Sequence, residues 1–556
     1  MRRMVLASLA AIAAAGCAST SAQTAPQATS YADYLIGRYA DRARDPVMAA
    51  DRYASALRKS PRDTMLLEGA ADSALASGDV AAAARFGREA TAQDVDIASG
   101  RLAQAAVALH KGRFKAARAF VDDVDGGAAE QLAARLITVW SFAAQGDADA
   151  ALADLGEDNA TVRSPWTAMQ SYQRAMVLDH LGRTEEALSA YARGAAAGGL
   201  RIAQVIVHHG QLLERAGRRE EAAKLYDEFL VDVDNPGVAA ELARLQAGRA
   251  PPSPLTVARG ASIALFSLAV LIGEDPSGRE QLGPLSLAMA LDPTLEAPRI
   301  AFADAMRGLQ HGASARRVLH DIPPSSPYFQ TAQSQIAFAL RAEGRDDEAV
   351  ATLKAVAERT QGRISRRALA DLYRNLERHA DAAPLYAGLV SELDPPMQRD
   401  WRLFFAHGAT LERLGQWPAA EVALQQALLL SPDQPEVLNY LGYTWVDTGM
   451  KVREGLAILE RAVAQQPNEG YIIDSLGWAH FKLGNFSQAV ELLERAVELS
   501  PGDSTLNDHL GDAYWRVGRR IEARYQWRRV LTLNGPADER AVAERKIAEG
   551  LPPLTP

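Results

Sequence analysis

Residues 474–484 read DSLGWAHFKLG, and 34 residues later residues 508–518 read DHLGDAYWRVG. The same arrangement stands earlier in the chain as NYLGYTWVDTG at 439–449 and as FAHGATLERLG at 405–415. Each copy has a glycine in its fourth position and another in its eleventh, and successive copies are 34 or 35 residues apart. A constant step of this size indicates a repeat architecture, in which one supersecondary unit stacks on the next.

Each unit fits two antiparallel helices joined by a short turn. Gly477 lets the two helices approach closely, and Gly484 supplies the left-handed residue that ends the first helix. Ala489 lies where the helices cross, and Ala496 packs against the next unit. Pro501 stops the second helix, because proline lacks the N–H donor and clashes with the preceding turn. The sequence therefore predicts an all-α fold of helix-turn-helix units.

These features resemble the tetratricopeptide repeat, and the resemblance implies a superhelical solenoid. Toward the N-terminus the pattern weakens but the step persists, which predicts about fourteen units, eight of them clear. Units near residues 139 and 269 depend on spacing alone. The equivalent small residues of the earlier units are Ala370, Ala337, Ala303, Gly210, Ala175, Ala105, Ala71 and Gly37.

The step breaks once, because 59 residues separate Gly210 from the next equivalent, Ala269. Pro251, Pro252 and Pro254 lie in this interval, and such a stretch forbids helix and favours a stiff connector. We therefore predict an N-terminal array, a proline-rich connector, a degenerate array and a C-terminal array with clear consensus. These segments are residues 31–234, 235–260, 261–400 and 401–556. The alternative is one continuous solenoid.

Composition excludes several classes of protein. The 556 residues are 48% hydrophobic and 23% charged, which is typical of a chain that folds around apolar cores. The net charge of -9 does not suit nucleic acid. The most apolar stretch, residues 261–273 (ASIALFSLAVLIG), is shorter than the about 20 residues of a membrane-spanning helix, so we interpret it as a buried helix.

The N-terminus has the layout of a bacterial export signal. Arg2 and Arg3 precede an apolar run, and residues 14–17 read AAGC, which resembles a lipobox. We expect cleavage of residues 1–16, lipidation of Cys17, and a flexible polar tether over residues 17–30. Neither Ala18 nor Ser19 is acidic, which by analogy with enterobacterial sorting favours the outer membrane. An ordinary secretory signal that happens to contain the cysteine is the alternative.

The sequence contains none of the spacings that mark a catalytic or metal site. The chain has one cysteine, so no multi-thiolate zinc site can form within it. His208 and His209 are adjacent and point to different sides of a helix, so we expect one packed and one solvated histidine rather than a chelate. We predict a non-enzymatic protein without cofactor or metal. The alternative is an enzyme, or an enzyme-modifying domain within residues 235–300.

A binding surface is expected on the first helices of the C-terminal units, because this family's fold exposes them along a continuous groove. Six of the eight tryptophans lie after residue 400. Trp445, Tyr514 and Trp527 fall on consensus core positions, whereas other aromatic and polar residues share groove positions. The predicted groove residues are Asn439, Tyr443, Asp474, Trp478, Phe481, Asp508, Asp512 and Trp515. An extended peptide or a partner helix would suit them, and simple packing is the alternative.

The lipid signal, the length and residues 435–530 resemble the long tetratricopeptide lipoproteins of bacteria. Some of these are outer-membrane adaptors that bind and activate carboxyl-terminal processing proteases and deliver cell-wall hydrolases to them. The resemblance implies a periplasm-facing scaffold with protein partners, attached to the membrane by its N-terminal lipid. An accessory role in outer-membrane assembly or polysaccharide export is the alternative. The oligomeric state does not follow from the sequence.

Overall fold

The chain folds into two compact units of helices. The computed structural model describes residues 30–156, 164–198, 201–273, 279–533 and 535–553. These residues form thirty α-helices and one short 3-10 helix and contain no strand, which confirms the predicted all-α class. Unit 1 comprises residues up to Ala216 together with Pro252–Val318. Unit 2 comprises Gly217–Pro251 together with the residues from Leu319 onward.

Unit 1 contains fifteen of the helices. Its helices are α1 (Ser30–Arg42), α2 (Pro46–Lys59), α3 (Thr64–Ala76), α4 (Val80–Thr91), α5 (Ala98–His110), α6 (Phe114–Val121), α7 (Ala128–Ala143), α8 (Ala148–Asp154), α9 (Pro165–His180), α10 (Thr184–Ala197), α11 (Ala203–Arg215), α14 (Val257–Ile272), α15 (Leu282–Leu291), α16 (Ala297–Gly308) and α17 (Gly312–Leu319).

Unit 2 contains the other fifteen helices and the 3-10 helix Gln398–Asp400. Its helices are α12 (Arg219–Asp232), α13 (Pro236–Gln246), α18 (Phe329–Ala342), α19 (Asp346–Thr360), α20 (Arg363–Asn375), α21 (His379–Ser391), α22 (Trp401–Arg413), α23 (Trp417–Leu430), α24 (Pro435–Asp447), α25 (Val452–Gln465), α26 (Gly470–Lys482), α27 (Phe486–Leu499), α28 (Ser504–Arg516), α29 (Arg520–Thr532) and α30 (Ala537–Glu549).

The glycines have the roles that the repeat predicts. Gly484 has a φ of +81° at the turn between α26 and α27, which only glycine adopts without strain. A Cβ on Gly477 would lie 2.8 Å from Leu493 Cγ of the second helix, so only glycine permits this spacing. Consecutive helices pair in this way five times in unit 1, from α1 to α10, and six times in unit 2, from α18 to α29. This is the tetratricopeptide solenoid class, with fewer serial pairs than the fourteen units predicted.

The helices α14 and α15 do not continue the series of repeats. Helix α14 packs on α7 and α9, and α15 packs on α3 and α5, which are all first helices of repeats in unit 1. Residues 260–269 of α14 are buried without interruption, as expected for this apolar stretch. His110 Nδ1 lies 2.8 Å from the carbonyl oxygen of Leu291, and His180 Nδ1 lies 2.7 Å from that of Leu255. A later part of the same chain therefore packs over the first helices of unit 1.

The two units divide the chain differently from the segments that the sequence suggests. One boundary falls between Pro251 and Pro252, inside the predicted connector 235–260. Residues 252–318 pack with the N-terminal helices, although the sequence places most of them in a degenerate array over residues 261–400. The reason is that α14 is apolar on every side and requires neighbours all round, which an array position with one solvated side does not offer.

Candidate protein-binding site

The predicted groove residues lie on α24, α26 and α28, the first helices of three successive repeats. Helix α26 packs between α24 and α28, and within the described residues these three helices contact chiefly the helices of their own and adjacent repeats. We call the side of α24, α26 and α28 that carries Tyr443, Asp474, Trp478 and His509 the first-helix face. Unlike the first helices of unit 1, α24 and α26 have no further helix packed over them in the described part of unit 2, whereas α28 also contacts α30.

Trp478 is the centre of a column of stacked rings. Its indole lies 4.7 Å from the Phe481 ring at an interplanar angle of 5°, and 4.0 Å from the His509 ring at 12°. Its Nε1 donates a hydrogen bond of 3.2 Å to Asp447 Oδ1. The Lys482 ammonium lies 5.3 Å from the centre of the indole ring. The column joins α26 to α28, and the hydrogen bond to Asp447 connects it to α24, so three successive repeats meet at Trp478. Trp478 remains partly exposed, so part of the indole is open to a ligand.

A buried ion pair supports this column from behind. His509 Nδ1 lies 2.9 Å from Asp474 Oδ2 and 3.1 Å from Oδ1, and both side chains are buried. Burial alone would lower the pKa of His509, but the charge and the hydrogen bond of Asp474 outweigh it and raise that pKa above 6.5. A protonated imidazole stacked on Trp478 is also a cation over an aromatic face. The proton on His509 therefore connects the ion pair to the ring stack.

Tyr443 and Asn439 form the part of the first-helix face contributed by α24. Burial, followed by the charges of Asp447 and Asp474, raises the pKa of Tyr443 to about 12. Its phenol therefore stays protonated and keeps a hydrogen to donate. Asn439 Oδ1 is buried and has no hydrogen-bond partner among the described residues. The tyrosine hydroxyl suits a carbonyl of a peptide backbone, whereas the buried amide oxygen is closed to an external donor.

The predicted groove residues of α28 have structural partners instead. Lys546 of α30 lies 2.6 Å from Asp508 Oδ2 and 2.8 Å from a carboxylate oxygen of Asp512. Asp512 also accepts a 2.9 Å hydrogen bond from Trp527 Nε1, and burial raises its pKa. These contacts fasten α30 to the last repeat. They also pair the carboxylates of Asp508 and Asp512 within the protein.

Trp515 lies apart from the ring column. Arg520 and Arg524 of α29 place their guanidinium carbons 5.0 and 5.1 Å from the centre of its ring. A side chain on Gly550 would collide with the indole. Val446, at the same repeat position in α24, is fully buried in the core. Val446 and Trp515 therefore pack against other parts of the protein. Of the three residues at this repeat position, Phe481 is the one in the ring column.

The structure also contains functional candidates that the repeat register does not single out. His509 follows the shared polar position by one residue, so its approach to Asp474 in the preceding repeat was not expected. Asp447 stands at the end of α24, and Lys546 belongs to a helix without a repeat register. The contact between His509 and Asp474 could have been predicted, because the two residues are 35 positions apart, which is close to one repeat step.

The three aromatic residues assigned to the core, Trp445, Tyr514 and Trp527, are buried. His208 is buried as well, and burial with the charges of Arg259 and Arg215 lowers its pKa to about 3. His209 is not simply solvated: its ring stacks on Tyr191 at 4.3 Å and 8°. Within the described ranges, no group of three or more His, Cys, Asp or Glu residues is placed to hold a metal ion.

The N-terminal predictions fall outside the described residues. These are the signal over residues 1–16, Cys17 and the tether, whose last residue, Ser30, begins α1. Among the residues described, no helix combines the length and the apolar character needed to cross a bilayer.

Comparison with known proteins supports the repeat assignment. Residues 34–96, 405–470 and 472–503 match tetratricopeptide repeat families, and these stretches amount to less than half of the chain. The TPR repeat-containing protein PA4667 of Pseudomonas aeruginosa is 27% identical over 90 residues, which are 16% of this chain and 15% of that protein. The chain thus carries tetratricopeptide repeats, and it aligns with only a small part of that curated relative.

Solved structures with a similar fold have low identity to this chain. The APC/C hetero-tetramer Cut9-Hcn1 is 15% identical, with 93% of this chain and 96% of that chain covered and a TM-score of 0.42. A tetratricopeptide repeat protein from Parabacteroides merdae is 14% identical to this chain, with 45% of this chain and 97% of that chain covered and a TM-score of 0.37. YrrB, described as a TPR protein with an unusual peptide-binding site, is 20% identical to this chain. The match covers 32% of this chain and 88% of YrrB, with a TM-score of 0.27.

Proposed function

We propose that this protein is a non-enzymatic scaffold, anchored to the outer membrane by a lipid on Cys17 and facing the periplasm. In this proposal the first-helix face of α24, α26 and α28 binds protein partners. Those partners are a carboxyl-terminal processing protease, which the scaffold recruits and activates, and the cell-wall hydrolases that this protease degrades. Tetratricopeptide solenoids are protein-binding surfaces in general, and the resemblance of the lipid signal and of residues 435–530 supports the more specific role.

The observation that carries the proposal is the partly exposed Trp478 in a rigid setting. Phe481 and His509 stack on the indole, and Asp447 accepts a hydrogen bond from its N–H. A large aromatic ring held in one orientation loses little side-chain entropy on binding, which is why such residues dominate protein interfaces. The remaining open part of the ring is therefore a preorganised contact for a partner.

The chemistry of the first-helix face favours a partner with amide and apolar groups. Asp474 and Asp508 are already paired with His509 and Lys546, so they contribute little free negative charge. Tyr443 can donate a hydrogen bond to a ligand. An extended segment that lays its backbone along α24 and an apolar side chain on Trp478 would use both residues.

The test of the binding role is affinity capture from solubilised envelopes with the lipidated full chain as bait. We expect a serine protease of the carboxyl-terminal processing type and a wall hydrolase among the captured proteins. Trp478→Ala should reduce their yield about tenfold, which corresponds to the loss of one aromatic anchor. Trp417→Ala is the matched control, because Trp417 is also half-buried but lies on α23, a second helix.

Two results would contradict this part of the proposal. Equal yields with Trp478→Ala and with the parent chain would remove the first-helix face from the binding surface. Capture of components of barrel assembly or polysaccharide export in place of the protease would move the protein to that other envelope role.

The lipid anchor has a separate test. Cys17→Ser removes the acylated side chain, so we expect the protein to leave the outer-membrane fraction and appear in the soluble periplasm. The whole chain contains no second cysteine that could take over the modification. Unchanged fractionation of Cys17→Ser would exclude the lipid anchor while leaving the binding surface untouched.

A further inference from the structure

Helix α1 exposes an apolar stripe on the side where the series of repeats begins. Tyr31, Leu35 and Tyr39 recur at every fourth residue and therefore share one face of the helix. Their side chains are 66%, 48% and 71% exposed, and Ile36 beside them is 39% exposed. The terminal repeats of soluble solenoids usually present a polar outer face. The first helix of this chain departs from that rule, so something other than water is expected to cover it.

The exposed charged residues of α1 and of the turn directly after it are basic. Arg38, Arg42 and Arg44 are exposed in and directly after α1. The two acidic residues of the helix are directed inward: Asp33 is buried beside Lys59, and Asp41 accepts hydrogen bonds from Tyr53 and Arg279. The exposed charge of α1 is therefore positive, although the whole chain carries a net charge of -9.

A shallow cleft extends the apolar surface beyond the helix. It has a volume of about 210 Å³ and is lined by Tyr31, Tyr34, Met65 and Leu66, together with Ser30 and the exposed Asp63, whose carboxylate caps the N-terminus of α3. Met65 is 55% exposed. Tyrosines that expose both an aromatic body and a hydroxyl, with arginines alongside, have the composition of a helix that lies at a membrane interface.

We propose that α1 docks on an anionic phospholipid surface, with Tyr31, Leu35 and Tyr39 in the interfacial layer and the neighbouring arginines against the lipid phosphates. The proposal builds on the lipid anchor at Cys17, since α1 begins thirteen residues after that cysteine in the sequence. Acylation alone would tether the chain, whereas docking of α1 would also fix which end of unit 1 faces the membrane. One acyl signal combined with a basic surface is the usual requirement for stable membrane attachment.

A second copy of the chain is a poorer occupant of this face. Stable dimer interfaces use about 20–30 residues on each side, whereas the stripe consists of four apolar side chains. Pairing two stripes by a twofold axis would also bring Arg38 and Arg42 of both copies together, which is unfavourable. Shallow insertion into lipid needs neither a large area nor acidic residues on the protein.

The experiment uses the mature full chain with Cys17→Ser, so that binding by α1 is measured without the acyl chains. We expect this chain to float with phosphatidylethanolamine–phosphatidylglycerol vesicles and not with phosphatidylcholine vesicles. Tyr31→Ser with Tyr39→Ser should reduce the bound fraction about tenfold by removing interfacial side chains. Arg38→Gln with Arg42→Gln should reduce it by a similar factor, and added salt should reproduce the effect of this second variant.

The matched control is Val422→Ser with Leu429→Ser, which removes two apolar side chains that are 67% and 74% exposed on α23 of unit 2. This control should bind like the parent. Equal flotation of all variants, or none by the parent, would overturn the proposal. So would a concentration-dependent dimer that the tyrosine substitutions abolish in the absence of vesicles. None of these outcomes bears on the anchor, because Cys17→Ser fractionation in cells tests it separately.

Discussion

The two units are built from the same kind of helix pair, but they differ in what packs over the first helices of the pairs. In unit 1, α14 and α15 of the same chain pack over α3, α5, α7 and α9. In unit 2, α24 and α26 have only the helices of their own and adjacent repeats as principal neighbours among the described residues. A solenoid groove is thus a binding surface only where the chain does not fill it itself.

The side chains explain this difference. Helix α5 of unit 1 reads ASGRLAQAAVALH, and its many small residues let another helix lie close to its backbone. Helix α26 of unit 2 reads GYIIDSLGWAHFK, and Trp478 and Phe481 occupy the corresponding space with a stacked pair of rings. The small residues of α5 therefore leave room for the covering helix α15, whereas the rings of α26 fill the corresponding space.

The largest effect should follow from breaking the filled groove of unit 1. Leu285 is fully buried on α15, and Leu285→Ala should lower the free energy of unfolding of unit 1 by about 2–5 kcal/mol. Urea unfolding followed by hydrogen-exchange labelling of unit 1 peptides measures this change. Leu429→Ala, at a 74% exposed position of unit 2, is the control and should stay within about 0.5 kcal/mol. A loss below about 1 kcal/mol for Leu285→Ala would show that α15 is a detachable cover rather than part of the core.

A smaller effect distinguishes the units by pH. His208 of unit 1 stays neutral when folded, because burial lowers its pKa to about 3 from an ordinary value of 6.5. The unfolded chain takes up this proton below pH 6.5 and the folded chain does not, so stability is lost as pH falls from 6.5 toward 3. At pH 4.5 the loss should be about 2–3 kcal/mol relative to pH 7.5.

Comparison of the parent with His208→Gln isolates this contribution. Asp72 of unit 1 acts in the opposite direction, since burial raises its pKa to about 6, but it is present in both chains. The parent should therefore lose more stability than His208→Gln between the two pH values. The same acid-induced loss in both chains would exclude His208 as the source.

The repeat and its glycines could be predicted from the sequence because they are local features. Gly477 allows a close approach of the two helices of one pair, and Gly484 adopts the positive φ of the turn between them. Both requirements are visible in the spacing of the glycines. The burial of residues 261–269 could be predicted from their lack of charge. The surface that α14 covers could not be predicted, because an apolar helix needs neighbours but its sequence does not indicate which ones.

The candidate site follows the same division. The register places Asn439, Asp474 and Asp508 at one repeat position, but the surroundings of the three side chains differ, and Asn439 Oδ1 has no hydrogen-bond partner among the described residues. Asp474 meets His509 of the next repeat, whereas Asp508 meets Lys546 of a helix that has no repeat register. A shared position predicts a shared side of the helix, while the partner that neutralises each group depends on tertiary contacts.

The smallest effect concerns the ion pair behind the exposed ring of unit 2. Since Asp474 raises the pKa of His509, the pair stabilises the folded chain fully below pH 6.5, and the gain disappears as pH rises through the raised value. A double-mutant cycle with Asp474→Asn and His509→Gln should give a coupling of about 1–2 kcal/mol at pH 6 and almost none at pH 9. His407 and His480, whose pKa values are lowered by burial, are common to all four chains and cancel.

The cycle also tests whether the ion pair serves the binding face. His509 stacks on Trp478 at 4.0 Å, so loss of its charge removes a cation from the face of the indole and loosens the ring column. We expect partner capture by the parent to weaken from pH 6 to pH 9 and capture by His509→Gln to be weak at both. If the coupling changes with pH but capture does not, the ion pair stabilises unit 2 alone, and the orientation of Trp478 is set by Phe481 and Asp447 without it.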